Sequence, residues 1–262
     1  MNKLIYASWV VALFVSCATS YNVQGTSSVS ALDGNKLYLR AMKSGTVKNI
    51  DSCDVVHGEF HFAGLLDTVR MANLYMDDES IMPMVLEEGE IVVTIGPAGT
   101  TVGGTPLNDS LYKFIDRHNQ LVNQMSELGH RQNQMILDGI DEQAIGEELE
   151  VEAARITAEE DDLVTKFIEA NFDNVLGPGV FMMITSQYRF PILTPQIEYI
   201  LSKATQRFKE DVYVRDYLRA AHENEMRMNG LNEVATDMPA PPHPADSVSA
   251  PMLPAPLTNL PK

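Results

Sequence analysis

The chain has 262 residues, 45% of them hydrophobic, and 36 acidic side chains against 19 basic ones give a net charge of −17. That length suits one large domain or two modest ones, and so acidic a surface repels polyphosphate, which argues against nucleic acid as a partner. Two cysteines, Cys17 and Cys53, are too few for a disulfide scaffold.

Lys3 is followed by an apolar run from Leu4 to Val15. At roughly 12 residues this run suits a secretory signal and falls short of the ~18 that a spanning helix needs. Leu13-Phe14-Val15-Ser16-Cys17 has the form of a lipobox, in which a small residue precedes a cysteine that is acylated and becomes the new N-terminus. Residues 1–16 are therefore expected to be a lipoprotein signal peptide and Cys17 the lipid-attachment site, against the plainer reading of ordinary cleavage near Ala18-Thr19-Ser20. A covalent lipid on Cys17 is the one attached group expected, with a membrane surface as partner, since each buried methylene contributes ~0.8 kcal/mol. The polar stretch 17–28 reads as a tether that merges into a first strand.

From residue 29 the period is close to two. Lys36–Arg40, Val55-Val56, Glu59–Ala63, Met71–Met76, Pro83–Leu86 and Glu90–Ile95 alternate apolar with polar, and turn signals such as Asp33-Gly34, His57-Gly58, Asp77-Asp78 and Glu88-Gly89 separate them. Short strands with no helices between them predict an antiparallel β-sandwich over 29–105. At Gly104-Thr105-Pro106 the period changes, with Thr105 or Asn108 placed to cap a helix and Asp109 at its positive end. Leu111, Phe114, His118, Leu121, Met125, Leu128, Gln132 and Met135 form one seam, and Ile145, Leu149, Glu152, Ile156, Leu163 and Ala170 form a second after the break at Asp138-Gly139. Two long helices joined so briefly form an antiparallel hairpin.

Short helices complete the helical region, 106–232. They are a buried one at Val180–Ile184, one capped by Thr194 with Pro195 at its first position, and a last one from about Asp211 to Asn229. The fold class is thus α+β. Residues 233–262 hold eight prolines and are expected to form a disordered tail.

Four motifs in order carry a resemblance: Asp51-Ser52-Cys53-Asp54, Gly58-Glu59-Phe60-His61-Phe62-Ala63-Gly64, Leu86-Glu87-Glu88-Gly89-Glu90-Ile91 and Gly104-Thr105-Pro106-Leu107-Asn108, and the helical run Phe167–Asn174 followed by Gly177 adds to it. Together they resemble an uncharacterised N-terminal β-sandwich domain of Bacteroidetes lipoproteins, which commonly precedes a thioredoxin-like thiol-disulfide oxidoreductase domain. The resemblance implies a sandwich, a hinge and a helical segment. It also implies a redox partner domain, but no Cys-x-x-Cys occurs in this sequence, and dithiol exchange needs an attacking and a resolving thiol. Surface-exposed lipoproteins of such bacteria often carry an acidic cluster after the cysteine, and Ala18–Asn22 has none, so the resemblance favours an outer-membrane anchor facing the periplasm.

Two weak candidates for chemistry remain. Cys53 lies between Asp51 and Asp54, whose charges suppress thiolate, so a packed small residue is the favoured reading over a redox one. His57, Glu59 and His61 fall at i, i+2 and i+4, a possible metal trio on one strand face, although Phe60 and Phe62 more simply claim the core and leave the trio solvated. The ten carboxylates between Asp141 and Asp162 follow helical spacing, which suits a solvated face or a basic partner surface. The sequence therefore predicts an envelope lipoprotein with a binding or assembly role and an unidentified protein partner, no cofactor, and no catalytic residue. The alternatives are a docking subunit for a separate thioredoxin-like oxidoreductase, or capture of a glycan, peptide or metal.

Overall fold

In the computed structural model, which describes residues 19–43 and 46–228, the two-residue period becomes strands β1 (Ser20–Ser27), β2 (Lys36–Lys43), β3 (Thr46–Asp54), β4 (Glu59–Leu65), β5 (Arg70–Met76), β6 (Glu79–Leu86), β7 (Gly89–Gly96) and β8 (Gly99–Gly103). They form two four-stranded sheets, β4-β1-β7-β8 and β3-β2-β5-β6. The β-sandwich, the helical hairpin and the three expected short helices are present, while the strand expected at Val55-Val56 lies earlier in the chain as β3 and a helix at Gln206–Glu210 is an addition. Within the sandwich one pair, β1 with β7, is parallel. Cys17 and the 233–262 segment lie outside the described residues.

The tether expected at 17–28 is corrected by β1. This strand lies inside its sheet, antiparallel to β4 on one side and parallel to β7 on the other. Tyr21, Val23 and Gly25 point into the core while Ser20, Gln24 and Thr26 face solvent. One polar face and a glycine on the other made an interior strand look like a linker.

The first sheet buries one face only: in β4 and β7, Phe60, Phe62, Ile91, Val93 and Ile95 are buried and their neighbours are exposed. Strand β6 is buried on both faces from Met82 to Leu86. Added helical packing explains this: helices α1 (Pro106–Leu137), α2 (Glu142–Ala170), α3 (Leu176–Thr185), α4 (Pro195–Lys203), α5 (Gln206–Glu210) and α6 (Val212–Met228) share one core with the two sheets, α1 running along the β6 edge and α3 lying over β5. Helix α3 approaches closely enough that a side chain on Gly179 would meet Met71 of β5 at 2.8 Å. Packing of this kind buries the apolar face of each element against its neighbours.

Helix α1 is locked to the sandwich by polar contacts that local sequence did not reveal. Thr105 stands at the N-cap, but its side chain accepts no backbone hydrogen bond there. The free N–H groups of Leu107 and Asn108 instead donate to Oε1 of buried Glu87, at 2.9 and 3.1 Å. A carboxylate at a helix N-terminus satisfies orphan donors and complements the dipole. The Asn108 side chain accepts from Val85 N–H and donates to Val85 C=O, both at 2.8 Å, and Tyr112 Oη donates to Pro83 C=O at 2.9 Å.

Asn108 meets Val85 and Tyr112 meets Pro83, so α1 runs antiparallel to β6. It leads from the end of the sandwich where the chain enters at Ser20 toward the opposite end. That entry end also carries the last residues of β2, the first of β3, and the β4–β5 and β6–β7 connections.

Candidate functional site

Strands β3 and β4 are the outermost strands of their sheets on the side away from α1, and they come into contact with each other. An open depression lies there, lined by Gln24, Cys53, Asp54, His57, Glu59 and His61. The structure thus brings the two sequence candidates, Cys53 and the His-Glu-His trio, to one place.

It does not arrange them as a metal centre. Val56 and Glu59 exchange both backbone hydrogen bonds, so His57 and Gly58 are the two central residues of a tight turn. Both have positive φ, 54° and 76°, the requirement of a type I′ hairpin turn. The left-handed backbone takes His57 out of the strand alternation that would place it beside Glu59 and His61. His61 Nε2 is hydrogen-bonded to Asn22 Oδ1 at 2.6 Å. Among the described residues no group of three or more His, Cys, Asp or Glu is disposed to hold a metal ion.

Cys53 is half-buried and free. Burial pushes its thiol up to about 11, the charges of Asp51 and Asp54 push the same way, and the His61 backbone and Lys36 oppose them. The sequence identified the two aspartates; the larger cause, packing against the core, became visible only in the fold. A thiol raised this far carries about a hundredfold less thiolate at neutral pH than a free cysteine does. Alkylation of native protein at pH 7 is accordingly expected to run about a hundredfold slower than after denaturation. Equal rates in the two states would refute the burial argument.

The second candidate region is the hairpin. Leu121, Leu128, Ile145, Leu149 and Ile156, with Met125 and Met135 beside them, form a core separate from the main one. From Leu121 to Leu137 the axis rises about 24 Å at 1.5 Å per residue, so this half of the hairpin stands clear of the sandwich. Its surface is acidic, with eight carboxylates between residues 121 and 156 against Arg131 and Arg155. Arg131 bridges the helices to Glu148 and Glu152, and Arg117 bridges to Glu159. The tip exposes Ile136, Leu137 and Ile140, at 54%, 86% and 42% of their surface.

His118 fixes the register at the hairpin's base. It is buried, and its Nε2 lies 3.0 Å from Glu160 Oε1 on α2. A carboxylate can only accept, so Nε2 carries the hydrogen. This bond holds the Glu160 carboxyl below its ordinary value of 4.5. A lowered carboxyl stabilises the fold fully above its unfolded value, and the contribution fades as pH falls through the lowered folded value. The stability difference between wild type and Glu160→Gln should therefore shrink on acidification below about pH 4.5, measured by urea unfolding at a series of pH values. A difference that stays constant to about pH 2.5 would dismiss the hydrogen bond from His118 to an ionised Glu160 as a source of stability. Gln132, polar in the same seam, is exposed.

Residues 21–111 match the model of a domain of unknown function, DUF4369. The match runs from Tyr21 in β1 to Leu111 in α1, so an N-terminal domain of this type is present and includes both Glu87 and Asn108. Its limits agree with the packing, in which the first turn of α1 belongs to the sandwich. No curated protein and no solved structure matches the chain.

Proposed function

We propose that this protein is a membrane-anchored lipoprotein of the cell envelope, acylated at Cys17 and facing the periplasm from the outer membrane, with a non-catalytic binding or assembly role. The observation that carries the binding role is the outer half of the hairpin, a self-packed acidic rod with an apolar tip. Residues with a private core and no packing duty toward the main body are free to present a surface, and this one suits a protein partner with a basic rim around an apolar patch. Anchoring is supported by the lipobox at Leu13–Cys17. The narrower reading, docking to a separate thioredoxin-like oxidoreductase, gains nothing from Cys53, whose thiol is held protonated.

The test uses the full chain in its native envelope. Mass measurement of the mature N-terminal peptide should find acyl chains on Cys17, and a photo-crosslinking residue in place of Leu137 should capture a partner that the same residue at Val56 does not. A membrane-free, monomeric protein with no position-specific adduct would overturn the proposal.

A further inference from the structure

The entry end of the sandwich has a surface unlike the rest of it. Of the large apolar side chains exposed on the sandwich, Met42, Val47, Leu65 and Val69 are at this end, with exposures of 42%, 39%, 79% and 37%. Val56 alone is at the opposite end, and Val92 is on the outer face of the first sheet. Met42 and Val47 face each other across β2 and β3, and Leu65 pairs with Ser20 at the first position of β1. Exposed Lys48 follows Val47.

The backbone fixes where the chain enters. Leu66 N–H donates to Thr19 C=O at 2.8 Å, so Thr19 is held against the β4–β5 connection, which follows Leu65 at the end of β4 and carries Val69. Cys17 is two residues earlier, a reach of about 7 Å at full extension. A lipid on Cys17 would bring this end of the sandwich, and no other, to the bilayer surface.

From these positions we propose that the entry end rests in the lipid–water interface, with Leu65, Val69, Met42 and Val47 among the headgroups and Lys48 toward the phosphates. The occupant of this patch is a phospholipid surface. An acyl anchor confines the protein to the membrane without orienting it; apolar contacts at the anchor point add orientation. Because α1 runs from this end toward the opposite one, the hairpin tip is then carried away from the membrane, where a partner reaches it. The inference rests on lipid attachment at Cys17 and goes beyond it in assigning a second, non-covalent membrane contact.

The full chain, exported and acylated in cells, is reconstituted into vesicles of phosphatidylethanolamine and phosphatidylglycerol. In a Cys53→Ser background, Leu65→Cys, Val69→Cys and Val56→Cys are each labelled with an environment-sensitive fluorophore. Lipids carrying a nitroxide high on the acyl chain should quench positions 65 and 69 at least about threefold more than position 56, given that interfacial side chains reach about 5–10 Å into the headgroup boundary. Equal quenching at the two ends, in protein whose N-terminal peptide carries lipid, overturns this inference and leaves the anchor standing. An N-terminal peptide without lipid overturns both. Crosslinking of two copies through position 65 with no quenching assigns the patch to self-association and also overturns it.

Discussion

Replacing Asn108 by alanine is expected to lower folding stability by about 3–4 kcal/mol, from two to three buried polar groups left unpaired at about 1–3 kcal/mol each. Asn108 is fully buried, and its amide pairs with both the N–H and the C=O of Val85 as a neighbouring strand would. β6 is the last strand of its sheet, and an unpaired strand edge is a template for aggregation. Helix α1 covers it through a match of spacings: four helical residues rise about 6 Å and two strand residues about 6.8 Å, so Asn108 and Tyr112 reach Val85 and Pro83 in step. Pro83 has no N–H to satisfy, which suits it to this edge. Asn108→Asp should be at least as damaging at neutral pH, because the carboxylate loses the donor for Val85 C=O and faces Glu87. Its burial and that like charge raise the new carboxyl, so part of the loss should return as pH falls and the group protonates. Tyr112→Phe removes one bond and should cost about 1 kcal/mol. Urea unfolding of the four proteins reads all three effects. An Asn108→Ala loss below about 1 kcal/mol would dismiss the lock.

This lock also marks the limit of what the sequence disclosed. The hairpin was legible because spacings of three and four persist over many turns, and Leu111, Phe114, Leu121 and Leu128 are buried in that order. The second seam slips near its end, where Val164 and Ile168 are buried in place of Leu163 and Ala170. There α2 leaves α1 as its sole neighbour and packs on α3 and α4 as well, so the buried face turns. Helix α5 has five residues, too few for a period, and reveals itself only through Thr205 capping and buried Phe208. Glu87 could not be read as a cap, since nothing local to a strand-end glutamate indicates which helix it meets. The metal trio failed for a related reason: period-two reasoning holds within a strand, and His57 lies in a two-residue turn beyond its end.

Gly25→Ala should cost about 2–3 kcal/mol, the upper range for overpacking a core. The site is unusual because a glycine inside a strand ordinarily weakens it, and alanine would be favoured by about 0.5–1 kcal/mol on conformational grounds. Here the ring of Phe60, the residue opposite on β4, lies over the glycine, and an added Cβ would come within 2.0 Å of its Cζ. The strand cannot retreat, because Gly25 is paired with Phe60 on one side and Val93 on the other. The ring cannot swing away cheaply either, being 5% exposed and packed edge-on to Phe62 at 6.1 Å. Phe60→Leu removes the obstruction and should cost about 1 kcal/mol alone through lost volume. In that background Gly25→Ala should become neutral or mildly stabilising, a change of sign that a double-mutant cycle reads as coupling of about 2–3 kcal/mol. The same cost in both backgrounds would mean that Gly25 is required for its backbone and not for the space it leaves to Phe60. The sign reversal would also establish residues 20–27 as an interior strand in solution, because a tether has no opposite residue to collide with.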